Sequence, residues 1–365
     1  MLPSLSIVIP TYNRPALLRA CLQTVARFAP GGTETLVVDD ASPQGVASRV
    51  AEGFAGVKIL RMDRRRGFCV AANAGIREAR GEIVEMLNDD TEVTAGWARA
   101  ALAHFRRPDV GSVAPLVLRW PGNPGARDNN EAIGQGRQGK AVIDSAGDRF
   151  YLGGVAGKRW HGELLELAFV KPCRVFGASA SSAFYRREFL LQVGAFPESF
   201  GAYFEDVDLA FRLHGAGCQV IFEPASRVLH HVSASYGRSR RRLLAQQSRN
   251  EERVFWRNLP KRVLIRALPS HLAVLAAKAW RRWQDGSLVP FLSGRLQVLA
   301  DVVEILRHRR WLSPFASVTD LKSWHVDSKF WGQRPAGSAR PLGLSPDEPA
   351  GPICRSEPGY GRAAA

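Results

Sequence analysis

A chain of 365 residues can bury a large core, and a hydrophobic content of 45% is ordinary for a globular protein, which excludes a disordered or fibrous class. Its 50 Lys and Arg against 34 Asp and Glu leave a net charge of +16. The excess is local: residues 1–235 carry 27 basic and 24 acidic side chains, residues 236–334 carry 20 and 7, and residues 335–365 carry 3 of each.

Leu5–Ile9 is a short apolar run rich in β-branched residues, followed by Pro10, and reads as a buried strand. Leu17, Leu18, Cys21, Leu22 and Val25 recur at helical spacing, which predicts a helix over 15–28 with Pro15 in the first turn, where it is tolerated. Thr35–Val38 is a second strand ending at Asp39-Asp40, Val46–Phe54 a helix, and Val57–Leu60 a third strand. Residues 68–79 form another helix, Ile83–Leu87 a fourth strand ending at Asn88-Asp89-Asp90, and the chain looks helical from Thr94. Strands alternating with helices at this spacing predict βαβ units: an α/β, Rossmann-like fold with a mostly parallel central sheet and helices on both faces. Ligands of such sheets bind at the carboxyl ends of the strands, where both acidic pairs fall.

Pro121, Gly122, Pro124, Gly125, Gly134, Gly136 and Gly139 make 120–165 an excursion with short strands, in which no chemistry is legible. Strand and turn resume over 174–184, then a helix over Arg186–Val193, a helix over Leu209–His214 and a strand over Gln219–Phe222. From Ser239 to Trp311 the pattern is helical and Arg-rich, broken at Pro260, Pro269 and Pro290, and beyond Gly332 it is a Pro, Gly, Ser and Ala tail expected to be disordered. The expected organisation is one large domain over 1–235, with halves 1–118 and 119–235, a basic amphipathic helical region over 236–331, and a tail over 332–365. Five scattered cysteines with no CxxC spacing fit a reducing compartment and argue against zinc. No signal peptide and no membrane-spanning helix are expected, which points to the cytoplasmic side.

Asp89-Asp90 at a strand exit has two readings, a turn or helix cap, or oxygen ligands for a divalent cation. Glu205, Asp206 and Asp208 likewise either cap the helix that follows or place a carboxylate base at a site. The basic segment suits an anionic surface. Arg238 to Arg310 interleave with Trp256, Trp280, Trp283 and Trp311, the composition of interfacial membrane helices, so an anionic inner-membrane surface is the expected partner. A nucleic-acid partner is not expected, because acidic pairs without a metal sit badly beside phosphates and no aromatic stacking platform is visible.

Seven segments stand in a particular order: Pro10-Thr11-Tyr12-Asn13-Arg14, Asp39-Asp40-Ala41-Ser42, Arg66-Gly67-Phe68 with Ala71-Ala72-Asn73-Ala74-Gly75, Leu87-Asn88-Asp89-Asp90-Thr91, Gly194 to Phe200, Tyr203 to Leu209, and Val228-Leu229-His230-His231 with Ser233 and Ser235. Over roughly residues 4–260 this resembles the family 2 glycosyltransferases of the GT-A fold, notably bacterial rhamnosyltransferase-like members that build surface polysaccharides.

The resemblance implies an inverting, metal-dependent transfer of a sugar from a UDP- or dTDP-sugar to a hydroxyl of a glycan or lipid-linked acceptor. It places Pro10, Thr11, Tyr12, Arg14, Asp39, Gly67, Asn73 and Asp89 at the nucleotide sugar, with Asp39 accepting from the base and Asp89 on the donor's sugar side. It places Asp90 and His230 on a Mg²⁺ or Mn²⁺ ion, with the choice between His230 and His231 open. It makes Asp206 the general base, with Glu205 beside it. The chain departs from the family's DxD pattern at Asn88, which offers a carbonyl oxygen and no charge.

Overall fold

The computed structural model describes residues 2–120, 141–165, 171–232, 240–312 and 321–330. The expected disordered tail, most of the Gly- and Pro-rich stretch after Trp120, and Ser233 and Ser235 lie outside them. The first half alternates as expected: β1 (Leu5–Thr11), α1 (Pro15–Phe28), β2 (Glu34–Asp39), α2 (Val46–Glu52), β3 (Val57–Arg61), α3 (Phe68–Glu78) and β4 (Ile83–Leu87). Parallel pairing sets Val8 beside Met86, Thr11 beside Asp39 and Asp39 beside Arg61, so four strand ends open on one edge. These strands are nearly continuous apolar runs because both faces are covered. Ile7 and Ile9 face Leu18 and Leu22 of α1, while Val8 faces Ile76 of α3. The α3 packing is close enough that a Cβ on Gly75 would sit 2.3 Å from Val8 Cγ1.

The second half adds β5 (Thr91–Val93), α4 (Trp97–His104), β6 (Val110–Arg119), β7 (Ile143–Ser145), β8 (Asp148–Tyr151), β9 (Val155–Lys158), β10 (Cys173–Arg174), β11 (Ser182–Arg186), α5 (Arg187–Gln192), α6 (Glu205–Gly215) and β12 (Gln219–His230). The main sheet runs β10-β12-β6-β11-β4-β1-β2-β3, with β5 beside β12 and β7 beside β6. Because β11 is antiparallel to both β4 and β6, the sheet is parallel from β3 to β4 and mixed beyond. The ten-residue strand β6 is a finding that the sequence reading lacks, since its Gly111 and Pro115 look like strand breakers. The hairpin β8–β9, joined by β13 (Val326–Asp327), forms a small second sheet.

The C-terminal region is helical as expected: α7 (Arg240–Asn258), α8 (Lys261–Gln284), α9 (Leu288–Gln297) and α10 (Val302–Leu312). Pro260 separates α7 from α8, and Pro290 falls in the first turn of α9. Pro269 does not break the chain: it lies inside α8, where a proline deletes its own N–H bond without ending the helix. Helix α8 is long and apolar enough to cross a membrane by length and composition alone.

Helix α7 packs against α6 of the large domain. Asp208 on α6 accepts from Arg212 at 2.8 Å and Asn258 at 2.7 Å and forms an ion pair with Arg257 at 2.9 Å, all buried. Several arginines of the segment expected to meet an anionic surface point inward instead. Arg253 is 0% exposed and bonds Ser199 O at 3.0 Å and Glu304, and Arg249 pairs with Asp301 at 2.6 Å.

Candidate active site

The turn after β4 is pinned by Asn88 N donating to Ser181 O at 3.0 Å. It buries both following carboxylates. Asp89 Oδ2 accepts from Thr11 Oγ1 at 2.7 Å and Oδ1 from Arg14 Nη1 at 3.2 Å. The same guanidinium nitrogen reaches Asp90 Oδ2 at 3.1 Å. Strand β12 pairs His230 with Thr91 of β5, which brings the His230 Nε2 to 3.3 Å from Asp90 Oδ1. His231 turns the other way, as alternation along a strand requires. Its Nε2 lies 2.8 Å from Glu92 Oε1 and its ring stacks on Trp120 at 4.6 Å. Of the two histidines, His230 is the one that faces Asp90.

The electrostatics differ along this row. Burial and then the charge of Asp90 push Asp89 up to about 7, against the pull of Arg14. Burial also raises Asp90, but the close contact and charge of His230, with Arg14, outweigh it and hold the carboxyl below its ordinary value. For His230 burial favours the neutral ring, yet the bond to Asp144 and the nearby Asp90 carry it up to about 9.

A divalent cation fits this corner on the structure's own terms. Asp90 Oδ1 is buried with no hydrogen-bond partner, beside an imidazole nitrogen, and a guanidinium already sits on the neighbouring oxygens. Among the described residues no three His, Cys, Asp or Glu side chains gather closely enough to cage an ion. Two protein ligands with the remainder from a substrate's phosphates is the ordinary arrangement for Mg²⁺, and imidazole is acceptable to Mn²⁺.

The stretch read as empty of chemistry contributes to this corner. Asp144, on β7 and fully buried, accepts from Lys158 Nζ at 2.7 Å and lies 3.0 Å from His230 Nδ1. Burial raises its pKa, but the charge of Lys158 and bonds from His161 and His230 hold it well below the carboxylate range. No motif marks it, since a single Asp between apolar residues in a Gly-rich stretch has no signature without its tertiary partners.

On the nucleotide side, Pro10 lies within β1 and Thr11 ends it. Arg65 stacks its guanidinium 3.8 Å over the Tyr12 ring. Asp39 is buried, with Oδ1 accepting from Ser42 N at 2.7 Å and Oδ2 from Ser48 Oγ at 2.6 Å. A base at this position would share or displace one of these donors. Asp40 accepts from Arg66 N at 2.6 Å and Gly67 N at 2.8 Å, and Gly67, at φ 92°, starts α3 in a conformation suited to glycine. Asn73 is not at this surface. It is buried, donates to Phe196 O at 2.8 Å and accepts from Phe196 N at 2.9 Å, so its amide clamps α3 to the loop before α6.

Glu205 and Asp206 open α6. Two successive non-glycine residues in the left-handed region precede them, Tyr203 at φ 72° and Phe204 at φ 68°. Such backbone persists only when its surroundings hold it. Here α7 does so: Asn250 Nδ2 donates to Phe200 O, Ala202 O and Tyr203 O, each at 3.0 Å, and Gln246 Nε2 to Phe200 O at 2.9 Å. Half-buried Asp206 accepts from Ala180 N at 3.0 Å and Val207 N at 2.8 Å. Burial raises its pKa despite those bonds and the charge of Lys158. Glu205 is more deeply buried, with Oε2 unpartnered, and burial followed by the Asp206 charge pushes it well above its ordinary value. Ala180 and Ser181 are adjacent, so one strap ties the Asn88 turn to Asp206.

The family model described as glycosyl transferase family 2 matches residues 6–194. The uncharacterized protein y4gI of Sinorhizobium fredii is 32% identical over 250 residues, 64% of this chain, which spans only 25% of that protein. The N-acetylglucosaminyl-diphospho-decaprenol L-rhamnosyltransferase of Mycobacterium tuberculosis is 28% identical over 293 residues, covering 74% of this chain and 92% of that one. Among solved structures, GalNAc-T7 with UDP, GalNAc and Mn²⁺ superimposes with a TM-score of 0.53 at 20% identity, over 69% of this chain and 47% of that one, a likeness of fold.

Proposed function

The chain belongs to glycosyltransferase family 2, and from that premise we propose that it transfers a sugar from a UDP- or dTDP-sugar to a hydroxyl of a glycan or lipid-linked acceptor, with inversion and with a divalent cation. The observation that carries the reading is the meeting of Asp90 and His230 at 3.3 Å, on a corner strapped through Ala180 and Ser181 to the Glu205-Asp206 pair.

Asp90 and His230 would hold Mg²⁺ or Mn²⁺, which when bound neutralises charge developing on the departing nucleoside diphosphate. Arg14 supplies a second positive group at the same edge, suited to phosphate oxygens. Thr11 and Arg14 hold the side chain of Asp89, on the side where the donor's sugar would lie. Asp206 takes the proton from the attacking hydroxyl, its carboxylate oriented by the N–H groups of Ala180 and Val207. One base and one displacement give inversion at the anomeric carbon. The Mycobacterium relative, which this chain matches over most of its length, is named for an acceptor carried on diphospho-decaprenol, and this supports a lipid-linked acceptor here.

A membrane-surface site of action, on the cytoplasmic face, accompanies this reading. Helices α8 to α10 expose Leu272, Trp280, Trp283, Val289, Leu299 and Val303, each more than half exposed. Lys261, Arg262, Arg266, Arg281, Arg307 and Arg310 are exposed on the same helices. Exposed apolar and tryptophan side chains with basic ones on the same helices suit an anionic bilayer surface.

Thermal-shift screening of UDP- and dTDP-sugars with Mn²⁺ tests the donor class, since a ligand that binds the folded state raises the melting temperature. Stabilisation by one nucleotide sugar that disappears on chelation is the expected result; indifference to every nucleotide sugar contradicts it.

A further inference from the structure

We propose that Asp144 is a positioning residue: it sets the ring of His230 so that Nε2 faces the cation corner, which makes the β7–β9 segment part of the active site. This rests on the reading of Asp90 and His230 as ligands of a divalent ion.

The two ring nitrogens of His230 have different partners. Nδ1 lies 3.0 Å from Asp144 Oδ2 and Nε2 lies 3.3 Å from Asp90 Oδ1. An imidazole bonded through Nδ1–H to a fixed carboxylate has its rotation and tautomer set, leaves a lone pair at Nε2, and becomes a better donor to a metal. Asp144 is itself immobilised. Lys158 Nζ reaches the same Oδ2 at 2.7 Å, and His161 Nδ1 bonds the Asp144 carbonyl at 2.7 Å and lies 3.4 Å from Oδ1. Pairing of Ile143 with Leu118 and Ser145 with Val117 fixes the strand on either side.

A buried Asp–Lys pair is a poor choice for stability alone, because desolvation offsets the attraction and apolar replacements often serve as well. A structural ion pair also has no need of a histidine on its acceptor. The arrangement here has that histidine, and its far nitrogen points at the one Asp90 oxygen without a hydrogen bond. Lys158 then has a definite task, which is to hold the Asp144 carboxylate in place against Nδ1.

The test is Mn²⁺ affinity measured by electron paramagnetic resonance on the full chain, with saturating UDP and, separately, dTDP. We expect D144A to weaken Mn²⁺ binding by about 10- to 100-fold, the usual effect of deleting a partner that orients a ligand, with D144N less affected because an amide oxygen still accepts. In an H230A background the same substitutions should change affinity little, since the ring they act through is gone. Should D144A fold poorly, D144N with H230A/D144N provides the same comparison. Wild-type affinity within twofold in D144A, or an undiminished effect in the H230A background, would overturn the proposal while leaving the ligand assignment standing. Failure of the wild-type protein to bind Mn²⁺ with either nucleotide would overturn that assignment itself and this proposal with it.

Discussion

Arg14 Nη1 lies 3.1 Å from Asp90 Oδ2, so a guanidinium and a divalent cation are rivals for one carboxylate. Removing the positive group frees Asp90 but also removes a phosphate contact. R14M should therefore bind Mn²⁺ alone more tightly than the wild type, by about tenfold if one ion pair of about 1.4 kcal/mol is released, and bind the Mn²⁺–nucleotide complex more weakly. Calorimetric titration of both checks this. Equal losses in the two titrations would remove Arg14 from the phosphate side.

Asp208 sits between Arg212 and Arg257 in the interior. Deleting it leaves buried Arg212 without its counter-charge and Arg257 with Glu304 alone, and D208A should lose about 3–5 kcal/mol in urea unfolding. Because Arg257 lies on α7, the loss also reports how firmly the C-terminal helices are joined to the large domain.

Glu85 lies in the core under the Trp97 indole, whose Nε1 donates to its carboxylate at 3.0 Å. Burial pushes its pKa up from 4.5 to about 8, against the bonds from Trp97 and Ser182. The folded protein holds this proton to a higher pH than the unfolded chain, so the stabilisation is complete below 4.5 and is lost as pH rises towards 8. E85Q should gain stability relative to the wild type across that window, at a slope of at most about 1.4 kcal/mol per pH unit. Urea unfolding at several pH values measures it, and parallel curves would contradict the shift.

The sequence shows the βαβ half plainly because its signals are local. Leu18, Cys21, Leu22 and Val25 mark one helical stripe, and the β-branched runs mark strands whose ends carry Asp39, Asp40, Asp89 and Asp90. What stayed hidden depends on partners far along the chain. Asn73 reads as a polar ligand until Phe196 is placed against it, and Asp144 as an ordinary Asp until β12 delivers His230. Arg253 and Arg257 look like surface charge because Glu304, which both of them meet, is about fifty residues away. Pro115 and Pro269 hide a strand and a continuous helix for the opposite reason, since a local breaker is overridden by packing.

The exposed face of α8–α10 should bind vesicles containing anionic lipid and release them as salt is raised, because the flanking Arg and Lys are screened. Flotation of the wild type against W280S/W283S checks this. Unchanged binding in the variant, or binding indifferent to anionic lipid, would contradict the membrane reading.

The most direct measurement compares sugar transfer and Mn²⁺–nucleotide binding in wild type, D206N and D90A, with whichever nucleotide sugar stabilises the protein. The assignment of Asp206 as base and Asp90 as ligand predicts that D206N loses transfer by at least about 10²–10⁴-fold while binding nearly as well as the wild type, and that D90A loses both. Full transfer by either variant would contradict it.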